Sequence, residues 1–209
     1  MHKKQINTDD GLFLPLMEEF YTLQGEGFHA GKAAYFIRLG GCDIGCSWCD
    51  IKRSWDKELY PPVSIDPLIA RIEVSPAKAV VITGGEPSMY NLDPLTRRLK
   101  VRGIETFLET SGSHPLTGVW DWICLSPKQH AQCRGEYHHS ANELKVIIEV
   151  ERDLIWAETH ARMVNRNCLL FLQPEWSRRH TITPILVDYI MEHPQWRMSI
   201  QSHKFIGIP

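Results

Sequence analysis

Three closely spaced cysteines are the most chemically informative feature of this sequence. Cys42, Cys46 and Cys49 fall within the stretch LGGCDIGCSWCD, residues 39–50. Cysteine thiolates are the usual ligands of structural zinc ions and of iron–sulfur clusters. Closed sites of both kinds take four ligands, and no fourth cysteine stands nearby in the sequence. The motif therefore raises the question of which chemistry uses three neighbouring thiolates.

Several kinds of site remain open on the spacing alone. A zinc ion takes the three thiolates together with Asp50 or a distant histidine. A ferredoxin-type cluster takes its fourth thiolate from Cys124, Cys133 or Cys168. A third interpretation is that the three residues are ordinary core cysteines without a metal. In the last interpretation, one iron of a 4Fe–4S cluster lacks a protein ligand, and a chelating small molecule binds there.

Composition limits the classes of protein to which the chain can belong. It has 209 residues, of which 43% are hydrophobic and 23% charged, and its formal net charge is −2. This length and hydrophobic content predict one packed domain, residues 1–209. No basic block stands out, so direct binding of nucleic acid is not expected.

The amino terminus and the cysteines bear on the compartment. GLFLPLM, residues 11–17, is the only early apolar run, and Pro15 breaks it, so no signal peptide is expected. No run approaches the ~18 apolar residues of a membrane span. The clustering of three of the six cysteines does not suggest a disulfide framework. We therefore expect a cytoplasmic protein without a membrane partner.

Strand-like and helix-like segments alternate along the chain, which predicts a parallel sheet with crossover helices. The predicted strands are 33–39, 78–83, 104–110, 122–126, 144–150, 168–173 and 196–201. The predicted helices are 64–74, 91–103, 151–164 and 179–193, with Pro184 obscuring the start of the last. Ser64 is the candidate N-cap of the first helix, and Gly103 is expected just past the end of the second. The chain is shorter than the ~250 residues of a complete eight-fold barrel, and residues 127–143 are polar and weakly periodic. The predicted fold is α/β, a single-domain, reduced and open β/α partial barrel.

A second motif, TGGEP at residues 83–87, follows the second predicted strand. Its glycines either form a plain turn or expose the backbone to a ligand. Together with this motif, the C-x3-C-x2-C spacing and the aromatic Trp48 resemble the radical S-adenosylmethionine superfamily. The resemblance implies a β6/α3 core and a 4Fe–4S cluster whose open iron binds S-adenosylmethionine. One-electron cleavage of this cosubstrate then gives methionine and a 5′-deoxyadenosyl radical.

Further segments closely resemble the 7-carboxy-7-deazaguanine synthase family across nearly the whole chain. They are FYTLQGEG (20–27), FIRLGGC (36–42), VITGGEP (81–87), LETSG (108–112), SPK (126–128), LQP (172–174) and WRMSIQSHKFIGIP (196–209). The resemblance implies radical ring contraction of 6-carboxy-5,6,7,8-tetrahydropterin to 7-carboxy-7-deazaguanine and ammonia, on the route to queuosine-type 7-deazapurines. It also implies a homodimer and an external electron donor such as flavodoxin or ferredoxin.

Site residues are carried over from this resemblance where the motifs match, and no side chain is assigned as an acid or base. The cluster ligands are Cys42, Cys46 and Cys49. The S-adenosylmethionine residues are Trp48, Gly85, Ser126, Pro127, Lys128, Gln173 and Pro174. The pterin residues are Leu23, Gln24, Gly25, Arg38, Thr83, His203 and Pro209, the last through a terminal carboxylate. Ordinary alternatives are a solvent-facing Arg38, a surface His203 and a core-filling Trp48.

One position departs from the family pattern. Family members commonly follow the last cysteine with Asp and then Thr or Ser, whose hydroxyl binds Mg²⁺, whereas this chain has Asp50 and Ile51. Isoleucine offers no oxygen to a hard cation, so weak magnesium stimulation is expected.

Two other functions share the cysteine motif or part of it: a glycyl-radical activase, and a non-catalytic iron–sulfur or zinc module.

Overall fold

The computed structural model describes residues 9–209, which divide into two compact units. The first unit comprises residues 9–22, 33–109 and 114–121. The second comprises residues 23–32, 110–113 and 122–209. The expectation of one domain over the whole chain stays a prediction.

The first unit carries a mixed sheet in the order β3-β1-β2-β4-β5. Its strands are β1 Phe13–Leu23, β2 Ala33–Leu39, β3 Pro62–Ser64, β4 Ala79–Gly84 and β5 Glu105–Thr110. Its helices are α1 Ile65–Val74, between β3 and β4, and α2 Asp93–Val101, between β4 and β5. The pairs β2–β4 and β4–β5 are parallel, as the alternating pattern predicts, and β1 pairs antiparallel with β3.

Local sequence signals account for the two helices of this unit. The Ser64 hydroxyl accepts a hydrogen bond from the Asp66 amide at 3.3 Å, which confirms the predicted cap of α1. Leu68 and Ile72 lie on the buried face of α1. Gly103, just past α2, has a φ of 69° and takes the left-handed conformation expected at a helix end.

The second unit carries four parallel strands in the order β6-β7-β8-β9. The strands are β6 Trp122–Leu125, β7 Glu143–Ile148, β8 Leu169–Pro174 and β9 Trp196–Met198. The helices are α3 Gly135–Ser140, α4 Asp153–Ala161, α5 Arg179–Glu192 and α6 Ser202–Ile206. Pro184 lies inside α5 and has no amide proton to donate to the carbonyl of His180.

Four elements were missed by the sequence patterns: β1, β3, α3 and α6. β1 carries two charged residues within its run, Glu18 and Glu19, which interrupt an apolar strand pattern. Both are accommodated by ion pairs, Glu18 with Arg38 at 2.6 Å and Glu19 with Arg71 at 2.5 Å. The other three elements have only three to six residues, too few for a periodic signal. Within residues 9–209, no helix is long and apolar enough to span a membrane.

Candidate active site

Two motifs of the first unit begin where neighbouring parallel strands end. The cysteine loop follows β2, and the GGEP segment follows β4. Arg38 and Thr83 are register partners near these strand ends, and so are Leu39 and Gly84. Ligand sites of open parallel sheets form beyond the carboxyl ends of the strands. The register therefore brings together four sequence-predicted features: Arg38, Thr83 and the two motif loops.

Backbone hydrogen bonds fix the start of the cysteine loop. The Gly41 amide donates to the Ser54 carbonyl at 2.6 Å, and the Cys42 amide donates to the Trp55 carbonyl at 3.2 Å. The Tyr90 hydroxyl donates to the Gly40 carbonyl at 2.6 Å. Burial, and then the nearby acidic groups of the loop, raise the pKa of Tyr90 to about 12, so this donor keeps its proton.

The GGEP segment packs directly against the cysteine loop. The Gly85 amide donates to the Leu39 carbonyl and the Glu86 amide to the Gly41 carbonyl, both at 2.8 Å. A Cβ on Gly85 would lie 2.1 Å from the Gly41 carbonyl oxygen. Gly84, with φ of 136°, has as little space for a side chain, since a Cβ there would lie 2.2 Å from the Leu39 carbonyl oxygen. These glycines are needed for contact between the two motifs, a reason that the sequence did not suggest.

The three cysteines form a donor set suited to an iron–sulfur cluster. Cys46 is buried and Cys42 and Cys49 are half-buried. The Ile44 and Gly45 amides hydrogen-bond to the Cys42 sulfur; burial raises the pKa of this thiol, and the two amides act against that rise. Within residues 9–209, no group of three or more His, Cys, Asp or Glu side chains is arranged to hold a single metal ion. Thiolates that bind different irons of a cluster need not converge on one point.

The other cysteines have surroundings that do not favour a fourth thiolate ligand. Burial and the Glu143 carboxylate raise the pKa of Cys168 to about 12. The Cys124 sulfur lies 3.5 Å from an oxygen of the same Glu143. Metal ligands must be deprotonated, and a buried carboxylate opposes that. Cys133 is half-buried and lies two residues before α3, in a segment without regular secondary structure.

An ion pair with a residue of β1 orients the Arg38 side chain. The Arg38 Nε donates to Glu18 at 2.6 Å, and its guanidinium lies 5.8 Å from the Phe20 ring centroid, so Arg38 is oriented by β1 instead of facing solvent alone.

The Ile51 carbonyl accepts from the amide and the hydroxyl of Ser54, at 2.9 and 2.7 Å. Ile51 therefore offers neither a side-chain oxygen nor an unengaged carbonyl to Mg²⁺. Of its neighbours, Trp48 is half-buried and Asp50 is exposed.

The second unit holds the residues predicted for S-adenosylmethionine at the ends of β6 and β8. The Lys128 ammonium donates to both the carbonyl and the hydroxyl of Ser126, each at 2.7 Å, which shapes the SPK turn around buried Pro127. Gln173 is buried, and its side-chain oxygen accepts from the Ser199 hydroxyl at 2.7 Å. Pro174 follows and is also buried.

The LQGEG segment, residues 23–27, contacts the chain after β9. The carbonyl of Gly25 accepts from both the amide and the hydroxyl of Ser202, each at 2.9 Å. A Cβ on Gly25 would lie 2.1 Å from His203 Nδ1, so His203 packs on this glycine. The structure thus brings together two predicted pterin residues that are far apart in sequence. Gln24 is buried, Leu23 is exposed, and Pro209 is exposed beyond α6.

A largely buried ion pair, which the sequence patterns did not indicate, anchors this segment. The Lys145 ammonium donates to the Glu26 carboxylate at 2.6 Å, and Gln201 Nε2 donates to its other oxygen at 2.8 Å. Burial alone would raise the pKa of Glu26, but the charge and hydrogen bond of Lys145, helped by Gln201 and His203, lower it to about 2. Glu26 is therefore a carboxylate at any physiological pH. Lys145 lies inside a strand-like pattern, so no sequence signal marked it.

Glu143, the first residue of β7, holds the remainder of the same loop. Its carboxylate accepts from the Phe28 amide at 3.0 Å and from the Trp122 indole at 3.2 Å. The Phe28 and Trp122 rings stack at 4.8 Å. Glu143 is also buried, so it is a second acidic anchor that the sequence did not reveal.

Comparisons with known proteins agree with this arrangement of motifs. The Radical SAM superfamily model matches residues 36–125, the segment that contains both the cysteine loop and the GGEP motif. This match places the chain in a class of enzymes that use an iron–sulfur cluster and S-adenosylmethionine. A crystal structure of QueE from Escherichia coli superposes with a TM-score of 0.84 at 32% identity, covering 94% of this chain and 97% of that one. This similarity confirms the predicted fold class.

Curated relatives narrow the class to one family. A 7-carboxy-7-deazaguanine synthase of Flavobacterium psychrophilum is 52% identical over 98% of this chain and 97% of its own. Enzymes of the same name are 46% identical in Synechocystis, over 93% of each chain, and 34% identical in Escherichia coli, over 93% of this chain and 98% of that one. The chain belongs to the 7-carboxy-7-deazaguanine synthase family.

Proposed function

We propose that this chain is a radical S-adenosylmethionine enzyme that converts 6-carboxy-5,6,7,8-tetrahydropterin to 7-carboxy-7-deazaguanine and ammonia. The observation that carries the proposal is the direct packing of the cysteine loop against the GGEP segment at the ends of β2 and β4. The reaction serves the biosynthesis of queuosine-type 7-deazapurines. The proposal includes a single radical S-adenosylmethionine core domain over residues 1–209.

The cofactors and the chain have separate tasks. A 4Fe–4S cluster with bound S-adenosylmethionine supplies one-electron cleavage and hydrogen-atom abstraction from the substrate. Cys42, Cys46 and Cys49 hold the cluster. The residues assigned to S-adenosylmethionine are Trp48, Gly85, Ser126, Pro127, Lys128, Gln173 and Pro174. The protein orients the two small molecules and excludes water.

The pterin is held by groups that match its polar edge and its carboxylate. The planar guanidinium of Arg38 pairs with the substrate carboxylate, because Glu18 engages only Nε and the fork has further donors. Thr83, its register partner, contacts the same ligand. The remaining pterin residues are Leu23, Gln24, Gly25, His203 and Pro209. Contact between Gly25 and His203 supports their common assignment.

Magnesium has a smaller role here than in family members with a hydroxyl residue after the last Cys-Asp pair. Ile51 has no side-chain oxygen, and its carbonyl already accepts two hydrogen bonds from Ser54. We expect weak stimulation of turnover by Mg²⁺ in the wild type and stronger stimulation in Ile51→Thr. Assays in chelator-treated buffer with and without added Mg²⁺ measure both. Collapse of wild-type turnover without Mg²⁺ would refute this part of the proposal.

The proposed partners are a second copy of the chain and an external one-electron donor such as flavodoxin or ferredoxin, in the cytoplasm. None of the six cysteines, all of which lie in the described residues, forms a disulfide, which supports a reducing compartment. Analytical ultracentrifugation of the cluster-loaded protein tests the dimer. Turnover with each donor in place of a chemical reductant tests the electron source.

An anaerobic assay tests the proposed function. Cluster-loaded protein is incubated with reductant, S-adenosylmethionine and 6-carboxytetrahydropterin, and products are identified by mass spectrometry. We expect 7-carboxy-7-deazaguanine and ammonia in equal amounts, over many turnovers. Cleavage of S-adenosylmethionine without any 7-deazapurine would overturn the substrate assignment. The Arg38→Ala variant is the matched control, expected to raise the KM for the pterin about 100-fold, since a charge-assisted bidentate contact is lost.

A further inference from the structure

Ser199 lies between two segments that the proposed function assigns to different ligands. They are residues 23–27, here called the pterin segment, and residues 173–174, here called the S-adenosylmethionine segment. It follows β9 directly, and its amide donates to the Leu172 carbonyl of β8 at 2.9 Å. Its side chain is buried, with a relative exposure of 2%. Gly27 of the pterin segment lies on one side of the hydroxyl, and Gln173 of the S-adenosylmethionine segment lies on the other.

The direction of the hydrogen bonds follows from the donors involved. The Gly27 amide can only donate, so the Ser199 hydroxyl oxygen accepts that bond at 3.0 Å. A hydroxyl has a single proton. In Ser199 this proton is donated to the side-chain oxygen of Gln173 at 2.7 Å. The result is a directed relay from Gly27 through Ser199 to Gln173.

This relay fixes the orientation of the Gln173 amide. The side-chain oxygen of Gln173 faces Ser199, so the side-chain nitrogen of Gln173 is directed away from Ser199. The whole residue is buried. Gly27 is equally constrained, since a Cβ there would lie 2.0 Å from the Glu143 carboxylate. Loss of the hydroxyl would therefore leave the half-buried Gly27 amide and the buried Gln173 side-chain oxygen without their shared partner.

We propose that Ser199 is a positioning residue that sets the S-adenosylmethionine segment and the pterin segment in register through a single hydroxyl. The inference rests on the proposed function for the identity of the two ligands. Ser199 itself touches neither the reacting atoms nor the cluster ligands in this account. Its removal should therefore weaken binding of both small molecules more than it slows the chemical step.

The test compares Ser199→Ala with the wild type in anaerobic, cluster-loaded protein. We expect the Kd for S-adenosylmethionine and the KM for the pterin each to rise about 5- to 150-fold, the range for leaving a buried polar group without its partner. The kcat at saturation should stay within about threefold, since the uniform loss of binding does not change the chemical step. A purely structural lesion would instead lower kcat through loss of active enzyme, with unchanged KM.

Conservative variants guard against misfolding. Ser199→Thr keeps the hydroxyl and should restore both constants to within about threefold of the wild type. Ser199→Cys, with its weaker S–H donor, should give values between those of Ser and Ala. Thermal denaturation and iron content identify any variant that has lost its fold or its cluster.

Ser202→Ala is the matched control, because the Ser202 hydroxyl contacts only the pterin segment at the Gly25 carbonyl. That carbonyl keeps the Ser202 amide as a donor. We expect a higher KM for the pterin and a Kd for S-adenosylmethionine within twofold of the wild type. An S-adenosylmethionine Kd in Ser199→Ala that is also within twofold of the wild type would overturn the relay. Failure of the wild type to form any 7-deazapurine would instead refute the proposed function, while the S-adenosylmethionine titration still tests the relay.

Discussion

The two units hold their functional segments by different means. In the first, backbone groups make the critical contacts: the amides of Gly41, Gly85 and Glu86 tie the cysteine loop to its neighbours. In the second, side chains do so, and most are buried and polar. They are Glu26, Glu143, Lys145, Gln173 and Ser199.

This difference has a physical origin and a consequence. Backbone contacts need only small residues at fixed positions, so the cluster side leaves a short, local signature in the sequence. Buried side-chain networks join residues more than a hundred positions apart and depend on every partner. Substitutions should therefore act sterically in the first unit and electrostatically in the second.

The largest expected effect is the loss of a cluster ligand. Cys46→Ala should lower turnover more than a thousandfold and reduce bound iron, because an iron loses its thiolate. Cys133→Ala is the control, and we expect it to retain about four irons per chain. Iron and sulfide analysis of both proteins decides the matter; equal iron loss in the two variants would mean that Cys133 is a ligand.

Breaking the buried ion pair should cost the most stability. Lys145→Met leaves the largely buried Glu26 carboxylate, 19% exposed, without its cation, at a cost of about 3–5 kcal/mol in the free energy of unfolding. The double variant Glu26→Gln/Lys145→Met should recover much of that loss, since no charge remains. Urea denaturation of the four proteins of this cycle measures the coupling. Additive losses would show that the pair does not act as a unit.

A steric substitution in the first unit should have a smaller effect. Gly85→Ala places a Cβ 2.1 Å from the Gly41 carbonyl oxygen, so one motif must move, at about 1–3 kcal/mol. Gly103→Ala is the comparison, because nothing lies within 4 Å of its Cβ and only its positive φ of 69° opposes the change. We expect Gly103→Ala to keep full iron content and Gly85→Ala to lose S-adenosylmethionine affinity. Equal behaviour of the two would show that contact between the motifs is unimportant.

The smallest effect concerns acid stability of the second unit. His138 Nε2 and His160 Nδ1 lie 2.9 Å apart in a buried pair. Burial, and then its neighbour, lower the pKa of His160 to about 4, and burial lowers that of His138. The unfolded chain, with histidine pKa values near 6.5, thus binds protons that the folded chain does not. The stabilisation is complete above pH 6.5 and is lost as the pH falls toward 4.

Unfolding measured across this pH range checks the assignment. The slope contributed by one group cannot exceed about 1.4 kcal/mol per pH unit. His160→Asn should flatten the profile between pH 6.5 and 4 relative to the wild type. The exposed His180→Asn variant is the control, and an equal change in both would rule out the buried pair as the source.

Much of the fold followed from short-range patterns. The strand Ala33–Leu39 was predicted to the residue, and the capping roles of Ser64 and Gly103 were also correct. β1 was missed because its charged residues, Glu18 and Glu19, are stabilised by arginines elsewhere in the first unit. A pattern read along the chain cannot contain such partners.

The candidate site shows the same limit. The cysteine loop and GGEP were visible because cluster chemistry and close packing demand particular residues at particular spacings. Lys145 and Ser199 were not visible, because a lysine or serine in a strand-like segment is usually exposed. Their burial is a property of the folded second unit, in which β7, β8 and the LQGEG segment converge on them.

The three-thiolate cluster can be examined by Mössbauer spectroscopy of anaerobically prepared, iron-57-loaded protein. We expect about four irons per chain in a 4Fe–4S cluster, with one iron whose signal changes when S-adenosylmethionine is added, because only three cysteines serve as ligands. A cluster in which every iron is unaffected by S-adenosylmethionine, or a single zinc ion in its place, would contradict this expectation.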